Sequence, residues 1–232
     1  MLIEAKGLSM EIQGKQLFND ISLSVKPGTS LAIIGPSGSG KTTLLNCLGL
    51  IQKPTSGSIW MDGRDFSTHK RRDVLDFWKK SASFIYQDSG VIEEESIRYN
   101  VCLRRGISRS ATAQDVTSAL DMVGLSGREN ENAAVLSGGE KQRLGVARAI
   151  YKRASVIFAD EPTASLDEKN RALVKRLLLE MTKTGCSVII ATHDLVLAQA
   201  CSHVLDLGSR HDAHASWNIE REHGAVIFKG LA

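Results

Sequence analysis

Short apolar runs alternate along this chain with longer stretches in which apolar residues recur at helical spacing. Ser30–Ile34, Ala82–Tyr86, Ser155–Ala159 and Ser187–Ala191 are rich in β-branched residues and too short for a typical helix. Continuous apolar runs of this length suit parallel strands buried on both faces. Ahead of them, Leu2–Lys6, the stretch around Met10–Ile12, and Ile21–Val25 alternate apolar with polar and stop at Lys26-Pro27-Gly28, the pattern of a small antiparallel layer. Between Asp88 and Val135 the strand signals cease, and Val116, Leu120 and Val123 fall at helical spacing within Ala111–Val123. The expected fold is α/β: a central, mainly parallel sheet, an N-terminal antiparallel β layer and an inserted helical subdomain. Taken as one domain, residues 1–87 and 136–208 form the core, 88–135 the helical subdomain and 209–232 a C-terminal tail.

Composition narrows the classes. With 232 residues, 42% apolar, the chain can bury a substantial core. Its net charge of +3 comes without a concentrated basic stripe, which argues against nucleic acid as a partner. The opening MLIEAKGLSM lacks a charged-then-apolar signal region, and no apolar run approaches the roughly 18 to 20 residues a bilayer requires, so no direct membrane insertion is expected. A membrane role would run through a partner. Cys47, Cys102, Cys186 and Cys201 are widely spaced, the pattern of reduced, buried thiols in a cytosolic protein. Lys70-Arg71-Arg72 and Glu93-Glu94-Glu95 are too short for tails and are expected on solvated faces.

The sharpest chemical signal follows the first apolar run. Gly35-Pro36-Ser37-Gly38-Ser39-Gly40-Lys41-Thr42-Thr43 satisfies G-x-x-x-x-G-K-[ST] between a strand and an apolar helix. Glycines let successive N–H groups turn inward on a phosphate, at a helix N-terminus whose dipole favours an anion. Lys41 would reach the β- and γ-phosphates of ATP, and the Thr42 hydroxyl would bind Mg²⁺.

In parallel sheets, ligands bind beyond the carboxyl ends of the strands. All four candidate core strands end in polar chemistry: the phosphate loop, Gln87, Asp160-Glu161, and Thr192-His193. Asp160 closes an apolar strand, where a carboxylate is costly unless water and Mg²⁺ hold it. Glu161 can accept a proton from the water attacking the γ-phosphate. The structural alternative for this pair is an acidic turn before Pro162. Gln87 can bind Mg²⁺ or the attacking water, and His193 can hydrogen-bond the γ-phosphate. Singly each is a common local hydrogen bonder, and Asp194 could merely cap the next helix.

Leu136-Ser137-Gly138-Gly139-Glu140 fits a capping box for the helix that follows. Capping alone gives no reason for two glycines in a first turn, where each costs up to roughly 1 kcal/mol against Ala. Close approach of the backbone to a ligand is the expected explanation.

GPSGSGKTT, Gln87, LSGGE, VIFADEP, Ala164-Ser165-Leu166-Asp167 and Thr192-His193-Asp194 stand in the order found in ATP-binding subunits of ABC transporters, which the chain resembles over residues 1 to 208. The resemblance implies a P-loop NTPase fold and ATPase activity in a head-to-tail dimer, with a homodimer favoured. Ser137, Gly138 and Gly139 of one subunit would meet the γ-phosphate held by the other, and Asp167 would couple the two sites. It also implies a membrane permease docking near residues 86 to 105, at the cytoplasmic face of a prokaryotic membrane. The segments SGSIWMDGRD, ASFIYQDSGVIEEESIRYNV and LLNCLGLIQKPTSG are most similar to the group of macrolide and antimicrobial-peptide exporters and lipoprotein-release machines, which favours export. The alternatives are an importer, or an ATP-driven switch acting on cell-wall or division machinery without transport.

Three features depart from that family. The usual adenine-stacking aromatic is missing: Ile12 stands at or near its slot, Phe18 is the closest ring, and Met10 or Ile12 could offer apolar contact instead. Tyr99 and Ala164 replace a frequent Glu and Gly. The tail from Ser209 carries His211, His214 and His223, for which a solvated tail is favoured over a metal site because no ordered ligand set accompanies them.

Overall fold

The early alternation folds into a hairpin. β1 (Ile3–Ile12) pairs antiparallel with β2 (Lys15–Val25) through Gln13-Gly14, whose φ values of 51° and 76° suit the tight turns that match strand twist. β1 is one strand where the sequence suggested two stretches, because register shifts between Ala5 and Glu11 let it bend without ending. The computed structural model describes residues 1–68, 70–103, 111–208, 217–222 and 225–230, with backbone alone at 111–113, 217–222 and 225–230.

The other strands are β3 (Ser30–Ile34), β4 (Ser56–Met61), β5 (Arg64–Asp65), β6 (Ala82–Ile85), β7 (Val156–Asp160), β8 (Ser187–Ala191), β9 (His203–Asp206), β10 (Trp217–Glu222) and β11 (Ala225–Gly230). The helices are α1 (Lys41–Leu48), α2 (Arg71–Lys80), α3 (Ile97–Cys102), α4 (Ala111–Met122), α5 (Gly138–Lys152), α6 (Glu168–Lys183) and α7 (Leu195–Gln199). β4 and β5 join the hairpin in an antiparallel sheet of order β2-β1-β4-β5. The second sheet runs β10-β11-β9-β3-β8-β7-β6 and is parallel except at β10.

Alternate burial sets the central sheet between two cores. Leu31 and Ile33, Val156 and Phe158, Ile189 and Ala191 face the antiparallel layer and α1. Ala32, Ile157, Ala159, Val188 and Ile190 face the helices of the other side. A two-residue period with both faces apolar produces the continuous runs seen in the sequence. The expected helical insertion is present: Ile97, Val101, Val116, Leu120 and Val123 of α3, α4 and the turn after them join the core with Leu144 and Ala147 of α5.

Two expectations are corrected. β9 is a further parallel strand beside β3, missed because only Val204 and Leu205 of its four residues are fully buried. The residues after Ser209 are not all solvated tail, since the β10–β11 hairpin continues the sheet from β9. His211, His214 and His223, and with them the question of a metal site, lie outside the described residues. The exposed Arg71 and Arg72 open α2. The four cysteines are buried and form no disulfide, and burial pushes the thiols of Cys47 and Cys186 up to about 12 and that of Cys201 to about 11. Among the described residues no helix is long and apolar enough to cross a membrane.

Candidate functional site

β3, β8, β7 and β6 lie side by side, so the polar residues at their carboxyl ends meet along one edge. After β3 the chain enters the phosphate loop. Gly35 and Gly40 have φ of 144° and 93°, and both are crowded from within the chain. A Cβ on Gly35 would lie 2.7 Å from Ser39 Oγ and 3.2 Å from Gly208 N, and one on Gly40 would lie 3.2 Å from the Phe18 ring. Gly40 is the N-cap of α1, and no side chain caps that helix. Lys41 Nζ donates to the carbonyls of Gly35 (2.9 Å) and Pro36 (3.0 Å), spanning the loop. Ser39 Oγ is buried without a hydrogen-bond partner. Uncapped first-turn amides, an ammonium and an unpaired hydroxyl form a cradle that fits a phosphate.

Thr42, one residue beyond Lys41, donates through Oγ1 to Asp160 Oδ1 at 3.0 Å. Burial raises the Asp160 carboxyl above its ordinary range; the Thr42 hydrogen bond and Lys41 pull it down, and the charge of Glu161 pushes it up. Gln87 shares with Asp160 an open cleft of about 440 Å³ that Tyr86, Asp88 and Ser165 also line. Hydroxyl, carboxylate and amide oxygens are the hard donors Mg²⁺ takes, with phosphate oxygens and water completing its shell.

Glu161 departs from the strand in a left-handed conformation, φ 46°, which costs a residue with a side chain about 1–2 kcal/mol. The turn carries it to the end of β8. Its N–H donates to Ala191 O (2.8 Å), and its Oε2 accepts from Thr192 Oγ1 (3.2 Å), His193 N (3.2 Å) and His193 Nδ1 (2.9 Å). The Glu161 side chain is 15% exposed and that of His193 69%, so the imidazole stands in solvent over a sheltered carboxylate. Asp194 does cap α7, accepting from Leu197 N at 3.0 Å, and also accepts from Thr163 Oγ1.

The capping box at α5 is complete in both directions: Glu140 N–H donates to Ser137 Oγ, and Ser137 N–H donates to Glu140 Oε2. Burial pushes the Glu140 carboxyl up, but hydrogen bonds from Ser137 and Arg128 outweigh it and hold the group below its ordinary value. The two glycines have different reasons. A Cβ on Gly138 would meet nothing within 4 Å, whereas one on Gly139 would lie 2.4 Å from Asn170 Cγ. Close approach to a ligand is therefore not needed to explain Gly139: α6 packs there. Asp167, the N-cap of α6, accepts from Asn170 N (2.9 Å) and Asn170 Nδ2 (2.5 Å), and Asn170 in turn accepts from Arg143 Nη1. Sequence reading missed Asn170, whose signal was only its place three residues after a capping Asp.

At the expected base slot, Ile12 is 40% exposed at the end of β1. Met10 and Phe18 are buried at 3% and 4% exposure, which removes both as adenine contacts; Phe18 instead supports Gly40 from beneath.

The model of the family described as ABC transporter matches residues 18–164. The chain is similar to the lipoprotein-releasing system ATP-binding protein LolD of Saccharophagus degradans, 37% identical over 209 residues that cover 87% of this chain and 90% of the relative. It is similar also to the phosphonates import ATP-binding protein PhnC of Alcaligenes faecalis, 38% identical over 197 residues, 80% of this chain and 71% of that one. Among solved structures, a dimeric, post-hydrolysis state of the ATP-binding cassette MJ0796 bound to ADP and Pi matches with a TM-score of 0.79 at 28% identity, covering 89% of this chain and 94% of that one.

Proposed function

The chain belongs to the ABC transporter family as an ATP-binding subunit, and on that premise we propose that two copies clamp ATP between them, hydrolyse it, and drive a membrane permease that exports its substrate. The observation that carries the catalytic part is the convergence of Lys41, the Thr42–Asp160 pair and the Glu161–His193 pair at adjoining strand ends.

In this reading residues Gly35 to Thr43 bind the phosphates through backbone N–H groups, and Lys41 releases its carbonyl partners to reach the β- and γ-phosphates. Thr42, Asp160 and Gln87 hold Mg²⁺, directly or through water; when bound, it neutralises charge developing on the phosphate oxygens. Glu161 accepts the proton of the attacking water, while His193, its present partner, turns to the γ-phosphate. Ile12 packs on the base. Ser137, Gly138 and Gly139 of the partner copy close over the γ-phosphate, and Asp167 links the two sites. The permease docks around residues 86 to 105 on the cytoplasmic side. Similarity to a lipoprotein-releasing ATP-binding protein supports export; nearly equal identity to a phosphonates import protein supports import as the second reading.

The test is ATP turnover and ATP-dependent association of the wild type, Glu161→Gln and Lys41→Ala, with the permease added. Glu161→Gln is expected to lower turnover at least about a hundredfold while trapping an ATP-bound dimer. Lys41→Ala is expected to lose nucleotide binding. Normal hydrolysis by Glu161→Gln would remove the assigned base and the mechanism built on it.

A further inference from the structure

The carbonyls of residues 86, 87, 89 and 90 follow the last residue of β6, and the donors they receive come from one side of α5. Gln142 Nε2 donates to Tyr86 O at 2.9 Å and to Gln87 O at 2.8 Å. Arg148 donates through Nη1 to Ser89 O (3.3 Å) and Gly90 O (2.7 Å), and through Nε and Nη2 to the backbone and side-chain oxygens of Asn100 (2.6 and 2.8 Å). Lys152 Nζ holds the carbonyls of Trp78 and, at 2.5 Å, Ala82 at the start of β6. Gly145 brings the backbone of α5 against Ile85. Positions 142, 145, 148 and 152 are three or four residues apart, one face of a helix.

Gln142 is 2% exposed, and its Oε1 has no hydrogen-bond partner. Burying an unpaired amide oxygen is unfavourable. Flipping the amide would set oxygen against both carbonyls, so the orientation is fixed by what Gln142 does for residues 86 and 87.

We infer that Gln142 is a positioning residue for Gln87. It fixes the backbone from which the Gln87 side chain enters the cleft beside Asp160, and ties that backbone to the helix whose first turn is Gly138-Gly139. Gln142 follows Ser137 by five positions, about 7.5 Å of helix. A shift of the Ser137 turn on meeting the partner's nucleotide therefore moves the Gln87 backbone with it, and each site senses the other through α5. This rests on the role proposed for Gln87.

The experiment is a double-mutant cycle on the full chain with its permease, using Gln142→Leu, Gln142→Glu and Gln87→Ala, read as kcat, KM for ATP and the Mg²⁺ concentration giving half-maximal turnover. Each Gln142 variant is expected to lower kcat between about ten- and a hundredfold and to raise the Mg²⁺ requirement, with KM changed less than about threefold. In the Gln87→Ala background the Gln142 variants are expected to cost less than about twofold more, because residues acting as one unit are not additive. A full, additive loss in that background, or unchanged kcat in both Gln142 variants while Gln87→Ala is impaired, overturns the inference alone. Unchanged turnover in Gln87→Ala overturns the reading of Gln87 and the inference with it. The Gln142→Glu variant keeps the shape of the side chain, so a loss confined to Gln142→Leu with a lowered melting temperature also counts against positioning.

Discussion

The phosphate loop and the Ser137-Gly138-Gly139 turn both begin a helix, yet they are built in opposite ways. The loop is braced from within. Gly35 is crowded by Ser39 and Gly208, Gly40 rests on Phe18, and Lys41 ties the loop to its own carbonyls. Its helix has no side-chain cap. The Ser137 turn carries a reciprocal capping box, with Ser137 and Gly138 exposed and a Cβ on Gly138 meeting nothing within 4 Å. One region leaves donors open and surrounds them with its own chain; the other satisfies its cap and offers a bare tip. On the proposed reading the first is the anion site, and the second is the lid for the partner copy's site. Within that turn it is Gly139, and not Gly138, that is shaped by its own chain, through Asn170.

Substitutions at three glycines test that contrast. The largest effect is expected at Gly35→Ala, where both the left-handed backbone and the contacts with Ser39 and Gly208 resist a methyl group. Urea unfolding should show a loss of about 2–3 kcal/mol, together with loss of measurable ATP binding. Gly139→Ala should be milder, about 1–2 kcal/mol, because Asn170 can rotate at the expense of its bonds to Asp167 and Arg143. The same substitution in an Asn170→Ala background should cost nothing further, since the atoms in the way are those of the Asn170 amide. Persistence of the full cost there would mean that Gly139 answers to something other than α6. The smallest effect on the folded chain belongs to Gly138→Ala, within about 0.5 kcal/mol of wild type. Titration of ATP-dependent association should nevertheless show at least about a tenfold weakening in this variant. Destabilisation of Gly138→Ala comparable to that of Gly35→Ala would break the comparison, and unchanged association would remove the lid reading.

How far the site could be read in advance differs from residue to residue. The loop from Gly35 to Thr43, the acidic pair at the end of β7 and the capping box at Ser137 rest on neighbours in sequence, so spacing alone exposed them. Glycine at residue 139 looked like a ligand-approach residue because the sequence shows where a side chain is missing but not what stands opposite. Met10 looked available to a base because alternation in β1 marks an apolar face without saying what covers it. Gln142, Arg148 and Lys152 escaped because hydrogen bonds from side chains to distant carbonyls leave no periodic trace.

Periodicities and contacts spanning a few residues set the local pieces: two-faced apolar strands, helices with their caps, and the phosphate loop. The pairings between distant residues come from the fold. Thr42 meets Asp160 across 118 residues, Glu161 meets His193 across 32, and Gln142 meets Tyr86 across 56. The parallel sheet supplies these encounters by laying β3, β8, β7 and β6 side by side, an order different from that in the chain. Each such bond depends on strand order and on the packing of α5, which arise from burial of both sheet faces together and from no single segment.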